Sequence, residues 1–306
     1  MIMESVQTNS IKAWILAARP KTLAAAATPV LLGCSLAHTD GMFQIIPAIL
    51  CFLFAILAQI ASNFGNEYYD YVKGIDKKGR EGFRRGVTEG DLSPAAMRNA
   101  TFGTLALAAA VGCAMLTYGG AELIVVGVSV MLFALAYSAG PFPLSHHGLG
   151  DLTVVIFFGL IPVTFTCYLQ CGSWEGLCIS LPTAFAVGLL AANVLIVNNY
   201  RDADDDKRVG KRTTVVIFGR KRMAYVYLFS GIAAICTLFL LPVWKGILLL
   251  SFAVPILYLL LLHIKSWRKL VKGSGASLNP LLAETARNLL FFSILQFAVF
   301  YFSGRS

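Results

Sequence analysis

The sequence predicts an all-α integral membrane protein: nine transmembrane helices, two groups of four with a ninth appended, around a central cavity opening near the cytoplasmic face. Three observations carry this. Of 306 residues, 57% are hydrophobic and 13% charged, against roughly a quarter charged in a soluble domain. The apolar residues come in runs of about 20, the length a spanning helix needs. The basic residues gather in alternate loops, the asymmetry that orients helices in a bilayer.

Taken in order, the spans run over 22–38, 43–62, 100–118, 121–139, 152–171, 176–197, 224–241, 246–264 and 289–302. Each is read as a helix because backbone polar groups find no water in lipid. Ahead of them, MIMESVQTNSIKAW places acidic and polar residues before its first lysine and shows no cleavage site, so the first run is expected to stay as an anchor. With the N-terminus cytoplasmic, Lys12, Arg19 and Lys21 lie inside, as do the basic residues after the second, sixth and eighth spans and Arg287. Only Lys245 and Arg305 fall outside, which puts the C-terminus on the extracytoplasmic side. The net charge of +9 is this loop excess, so no nucleic-acid partner is expected. Seven cysteines without a CxxC pair read as small apolar packers.

Outer loops are short, whereas two inner ones, 64–98 and 199–223, are long and charged. Long loops in compact domains tend to be functional. Each follows the second helix of a four-helix group. The chain therefore reads as one domain, 1–306, built as a parallel internal repeat with halves at about 12–139 and 140–270 and the ninth helix at about 287–303.

The chemistry-bearing stretches sit at the starts of those loops. In the second half, NNYRDADDDKRVGKRT puts Asp202 and Asp206 four residues apart on one helical face, with Asn198 a further turn back. Such an array suits Mg2+, which takes oxygen ligands and leaves positions for phosphate. Gly210, Lys211, Arg212 and Thr213 follow as a cationic, hydroxyl-bearing segment suited to phosphate oxygens. A loop that only fixed topology would need Lys and Arg but gain nothing from clustered Asp. In the first half, Asn63, Asn66, Glu67 and Asp70 step by three and four along a helix, with Gly74 and Asp76 beyond its end. Polar groups at the membrane edge are penalised by lipid and mark function. Lys73, Lys77, Lys78, Arg80, Arg84 and Arg85 then stand ready to cap a pyrophosphate or to serve the inside charge excess.

Three smaller features lie near the same face. Pro141, Pro143 and several glycines make 137–151 a defined loop. His146 and His147 read as interfacial polar residues rather than metal ligands, since no acid or Cys stands at ligand spacing. Asp151 is placed either to orient a substrate or to cap the fifth helix, and Arg19 to Thr22 open the first helix as a basic anchor or an anion contact.

These segments together resemble the UbiA superfamily of intramembrane prenyltransferases. The resemblance rests on AARPKTL at 17–23, NEYYDYVKGID at 66–76, YSAGPFPL with GLGD over 137–151, NNYRDADDDKRVGKRTT at 198–214 and LNP at 278–280. ARPKTL, GPFPL and GKRT resemble the branch acting on 1,4-dihydroxy-2-naphthoate. The resemblance implies Mg2+ held by Asn66, Asp70, Asp202 and Asp206, with Asn198 beside them. Glu67 replaces the first Asp of the family's first motif and Gly74 takes its last position, leaving open whether Glu67 or Asp76 touches metal. It implies a polyprenyl diphosphate donor neutralised by Lys73, Arg84, Arg201, Lys211 and Arg212. Asp70, Asp202, Asp206 and Lys211 would be catalytic, and Lys21, Tyr137 and Asp151 would meet the acceptor. The implied reaction is transfer to the naphthoate ring with loss of diphosphate and CO2, giving demethylmenaquinone. 4-Hydroxybenzoate, homogentisate and a chlorin are rival acceptors. A cation transporter is disfavoured, because its acids would sit at mid-membrane on broken helices, whereas these cluster at one face.

Overall fold

The computed structural model describes residues 8–78, 84–174, 177–239 and 248–303. Lys245, Arg305, Arg80 and the side chain of Lys21 lie outside the described set. The described chain is helical: α1 Ile11–Ala18, α2 Pro20–Thr39, α3 Ile45–Val72, α4 Gly86–Glu89, α5 Pro94–Met115, α6 Glu122–Ala136, α7 Gly150–Cys171, α8 Leu177–Arg208, α9 Thr214–Phe218, α10 Arg220–Leu238, α11 over 248–272 and α12 Asn279–Ser303. Among the described residues, five helices are long and apolar enough to cross a membrane: α2, α3, α7, α8 and α12. Together they make this a multi-pass membrane protein.

Several helices overrun the spans read from hydropathy, among them α12, which starts at Asn279, and α11, which runs to Lys272. α3 continues through Val72 and α8 through Arg208, so both aspartate motifs are helical. A helix closes its hydrogen bonds inside the backbone, so it runs on past the point where its side chains turn polar. α1 is capped by the Ser10 hydroxyl, which accepts from Ala13 N at 3.3 Å, and it buries Ala13 and Ala17 against Phe64, Val87, Leu92 and Met97. It turns into α2 at Arg19, whose backbone is left-handed with φ 52°, and Pro20 then occupies the first helical position, where its missing N–H costs nothing.

α3 packs on α5, and α8 packs on α10 in the corresponding way. α2 runs against α12 and α7 at the centre of the bundle. α7 and α8 touch backbone to backbone: a Cβ on Gly159 would stand 2.4 Å from both Ala184 O and Gly188 Cα. That approach is available only to glycine. Gly159 lies in a π-turn, Ile156–Leu160, which also carries Phe157 and Phe158 into the wall of a cavity.

Candidate active site

A cavity of about 290 Å³ lies between α2, α3, α6, α7, α8 and α12. Its wall is apolar where Phe54, Phe133, Phe157, Phe158, Ile161 and Leu282 line it. Its other lining is polar and charged: Arg19, Asn66, Arg85, Tyr137, Asn198, Arg201, Asp202, Lys211 and Asn279. Both aspartate motifs therefore contribute to one cavity, Asn66 from the first and Asn198 and Asp202 from the second.

In the first motif, Asn66 is the hub. Its Oδ1 accepts from Arg19 Nη2 and Arg85 Nη1, each at 3.0 Å. Its Nδ2 donates to Asp70 Oδ2 at 3.1 Å and to Ser138 Oγ at 2.8 Å. Asp70 is fully buried one turn on. Glu67, one of the two acids left open as a metal ligand, is not part of the cavity wall. It sits about 100° round the helix from Asn66, faces α4 and accepts the Val87 N–H at 2.9 Å, so it holds the turn that presents Arg85. Asp76 does not line the cavity either; it is buried and pairs with Arg85 Nε at 3.1 Å.

Two expected diphosphate ligands have partners away from the cavity wall. Arg84 forms a fork with Asp91, at 2.6 and 2.9 Å, and that carboxylate holds its guanidinium above the ordinary arginine value. Lys73 donates to the carbonyls of Ser138 at 2.8 Å and Gly140 at 3.0 Å, and desolvation pulls its ammonium below the usual lysine range. The adjacent Arg85 is the guanidinium that reaches the cavity. Arg85→Ala is accordingly expected to raise the donor KM about tenfold, the loss of one charge-assisted hydrogen bond. Arg84→Ala should lower thermal stability and leave donor KM within about twofold; steady-state kinetics beside a melting curve distinguishes the two.

In the second motif, Arg201 is buried and faces the cavity. It donates to Asp202 at 2.6 and 2.9 Å, to Asn198 Oδ1 at 2.8 Å and to Asn279 Oδ1 at 3.0 Å. Asp206 is buried, 4.0 Å from Lys211 Nζ. Lys211 is buried with its side chain on the cavity, whereas the side chain of Arg212 is exposed and only its backbone takes part. The Arg212 N–H donates to His146 O at 3.0 Å.

The segment between α6 and α7 joins the motifs. Tyr137 lines the cavity, and Arg19, Asp70, Asp151 and Asp206 are all near enough to act on its hydroxyl electrostatically. Asp151, in the first turn of α7, accepts from Thr214 Oγ1 at 2.5 Å and so fastens α9 to α7; it is not part of the cavity wall. Asn279 was not anticipated as a site residue. Its signal in the sequence is an amide at the head of the last helix, within LNP.

The donor set fits magnesium delivered with a phosphate ligand. Among the described residues no three His, Cys, Asp or Glu side chains close into a metal cage. Mg2+ is typically held by one or two carboxylates plus substrate phosphates, its remaining positions filled by water. Asp202 on the cavity, with Asp70 and Asp206 behind it and Arg19, Arg85 and Lys211 around, has that character.

A family model described as the UbiA prenyltransferase family matches residues 26–295. The 1,4-dihydroxy-2-naphthoate octaprenyltransferase of Escherichia coli (strain K12) is 34% identical over 96% of this chain and 96% of its own. That of Haemophilus influenzae is 35% identical over 75% of this chain and 77% of its own. Among solved structures, a UbiA homolog from Archaeoglobus fulgidus bound to DMAPP and Mg2+ has a TM-score of 0.66 at 19% identity, covering 94% of this chain and 98% of that one.

Proposed function

The chain belongs to the UbiA prenyltransferase family, and from that premise we propose that it transfers a polyprenyl group from its diphosphate to 1,4-dihydroxy-2-naphthoate, releasing diphosphate and CO2. One observation carries the reading: Asn66 of the first motif and Asp202 of the second open into a single cavity that is cationic and acidic on one side and aromatic on the other.

Asp202, Asp70 and Asp206, with Asn66 and Asn198, would hold Mg2+, which when bound supplies Lewis-acid stabilisation of the departing diphosphate. Arg19, Arg85 and Lys211 face the same space and neutralise the charge that grows on the leaving oxygen as the allylic C–O bond breaks. The bonding pair leaves with diphosphate. An electron-rich carbon of the naphthoate ring then forms the new C–C bond, and loss of the ring carboxylate as CO2 restores the aromatic ring with both hydroxyls in place, giving demethylmenaquinol, the reduced form of demethylmenaquinone. Phe54, Phe133, Phe157 and Phe158 line the apolar wall, where they pack the isoprenoid and keep water from the allylic carbon.

We read the long helices α2, α3, α5, α6, α7, α8, α10, α11 and α12 as nine spans, 12–139 and 140–270 as parallel halves, and the charged end as cytoplasmic in a bacterial inner membrane. The pairing of α3 with α5 and of α8 with α10 supports the halves. The test is an assay of purified protein with Mg2+ and a polyprenyl diphosphate, offered 1,4-dihydroxy-2-naphthoate and 4-hydroxybenzoate in parallel. Prenylated product with CO2 release from the first alone is expected, and chelation of Mg2+ should stop it. Transfer only to 4-hydroxybenzoate would move the protein to another branch of the family.

A further inference from the structure

We propose that His146 is a positioning residue that ties the two aspartate motifs to each other across the cavity. The proposal deepens the reading above and rests on its metal and diphosphate site, but not on which acceptor is prenylated. His146 ends the 3-10 turn Leu144–His146 between α6 and α7, and its side chain is 11% exposed. Nε2 lies 3.3 Å from Asp70 Oδ1. A carboxylate only accepts, so in this contact Nε2 carries the proton and donates. The same residue's carbonyl accepts Arg212 N at 3.0 Å, and the preceding Lys211 N donates to Asp206 O at 2.8 Å. One residue thus holds a carboxylate of the first motif by its ring, and the strand of chain carrying Lys211 by its backbone.

The turn is stiff enough for that task. Ser145 bonds Tyr137 O through both N, at 3.0 Å, and Oγ, at 2.6 Å. His146 N donates to Pro143 O at 3.0 Å, and Leu149 N to Leu144 O at 3.2 Å. Asp70 is therefore oriented by directed donors on both oxygens, among them Asn66 Nδ2 on one and His146 Nε2 on the other. A carboxylate turned by such bonds presents its remaining lone pairs in one direction, and partners of this kind typically matter 10- to 100-fold for metal affinity. The neighbour His147 shares the backbone bridge to Arg212, but its side chain goes elsewhere: Nδ1 meets Pro143 O at 2.8 Å and the ring stacks on Phe142 at 3.7 Å.

The experiment measures Mn2+ binding by electron paramagnetic resonance, with and without the unreactive analogue geranyl thiolodiphosphate, beside donor and acceptor KM. His146→Ala is expected to weaken Mn2+ and analogue binding by about 10- to 100-fold and to leave acceptor KM within about twofold. His146→Gln, which keeps a donor near the Nε2 position, should recover part of the loss, and His147→Ala should match wild type. Wild-type Mn2+ and analogue affinity in His146→Ala would overturn the proposal. If that variant does not fold, His146→Gln and His146→Leu bracket the same bond, and equal affinities in those two would overturn it. A wild-type protein that binds Mn2+ with the analogue yet prenylates no aromatic acid would sink the proposed reaction and leave the His146 result standing.

Discussion

Asp202→Asn is expected to lower kcat/KM for prenyl transfer by about 1000-fold, the upper end of what loss of one preorganised electrostatic group costs, in a protein that still folds and inserts. Asp202 is 2% exposed, lines the cavity and meets the Arg201 fork through both oxygens. Asparagine keeps the volume and one accepting oxygen, so the fork survives in part. It removes the negative charge, the property needed to hold a hard cation against a diphosphate. Initial rates measured beside circular dichroism and gel filtration separate the two effects. A folded variant within about tenfold of wild type would remove Asp202 from the reaction.

Arg201→Leu should have the opposite profile, failing first in stability. Arg201 is 3% exposed and links α8 to α12 through Asn279, while balancing Asp202 and meeting Asn198. Leucine leaves the Asp202 carboxylate buried beside one fewer cation, and losing one partner of a buried pair costs about 3–5 kcal/mol. At about 2–4 °C of Tm per kcal/mol for a chain of this order of size, the melting temperature in detergent should fall by about 10 °C. A Tm within about 2 °C of wild type would show that Arg201 is not holding the two helices together.

How much of this was legible in the sequence depended on which physical signal each residue leaves. Hydropathy located the apolar middles of α2, α3, α7 and α8 because lipid imposes a composition. It misplaced the ends of α3 and α8, since backbone hydrogen bonding does not register where side chains become charged. Spacing brought Asn66 and Asp70 to one face but also admitted Glu67, and three-residue and four-residue steps alone do not separate a cavity face from the face that meets α4. Arg84 and Arg85 are the same residue type at adjacent positions; only the fold sends one to Asp91 and the other to Asn66. His146 stood at no ligand spacing within its own segment because its partner, Asp70, is 76 residues away. The two arginines that meet on Asn66 carried a basic character that the inside charge excess explained equally well.

Arg19 stands at a place where glycine would be conformationally easier: a left-handed backbone costs an L-residue about 1–2 kcal/mol. The guanidinium it delivers to Asn66 is what that conformation secures. Arg19 is also the joint between a short helix whose Ile11, Ile15 and Leu16 are exposed and the first long helix. The exposed apolar side chains of α1 and the amide at the centre of the first motif are thus joined through a single residue, whose backbone sets the turn and whose side chain makes the contact.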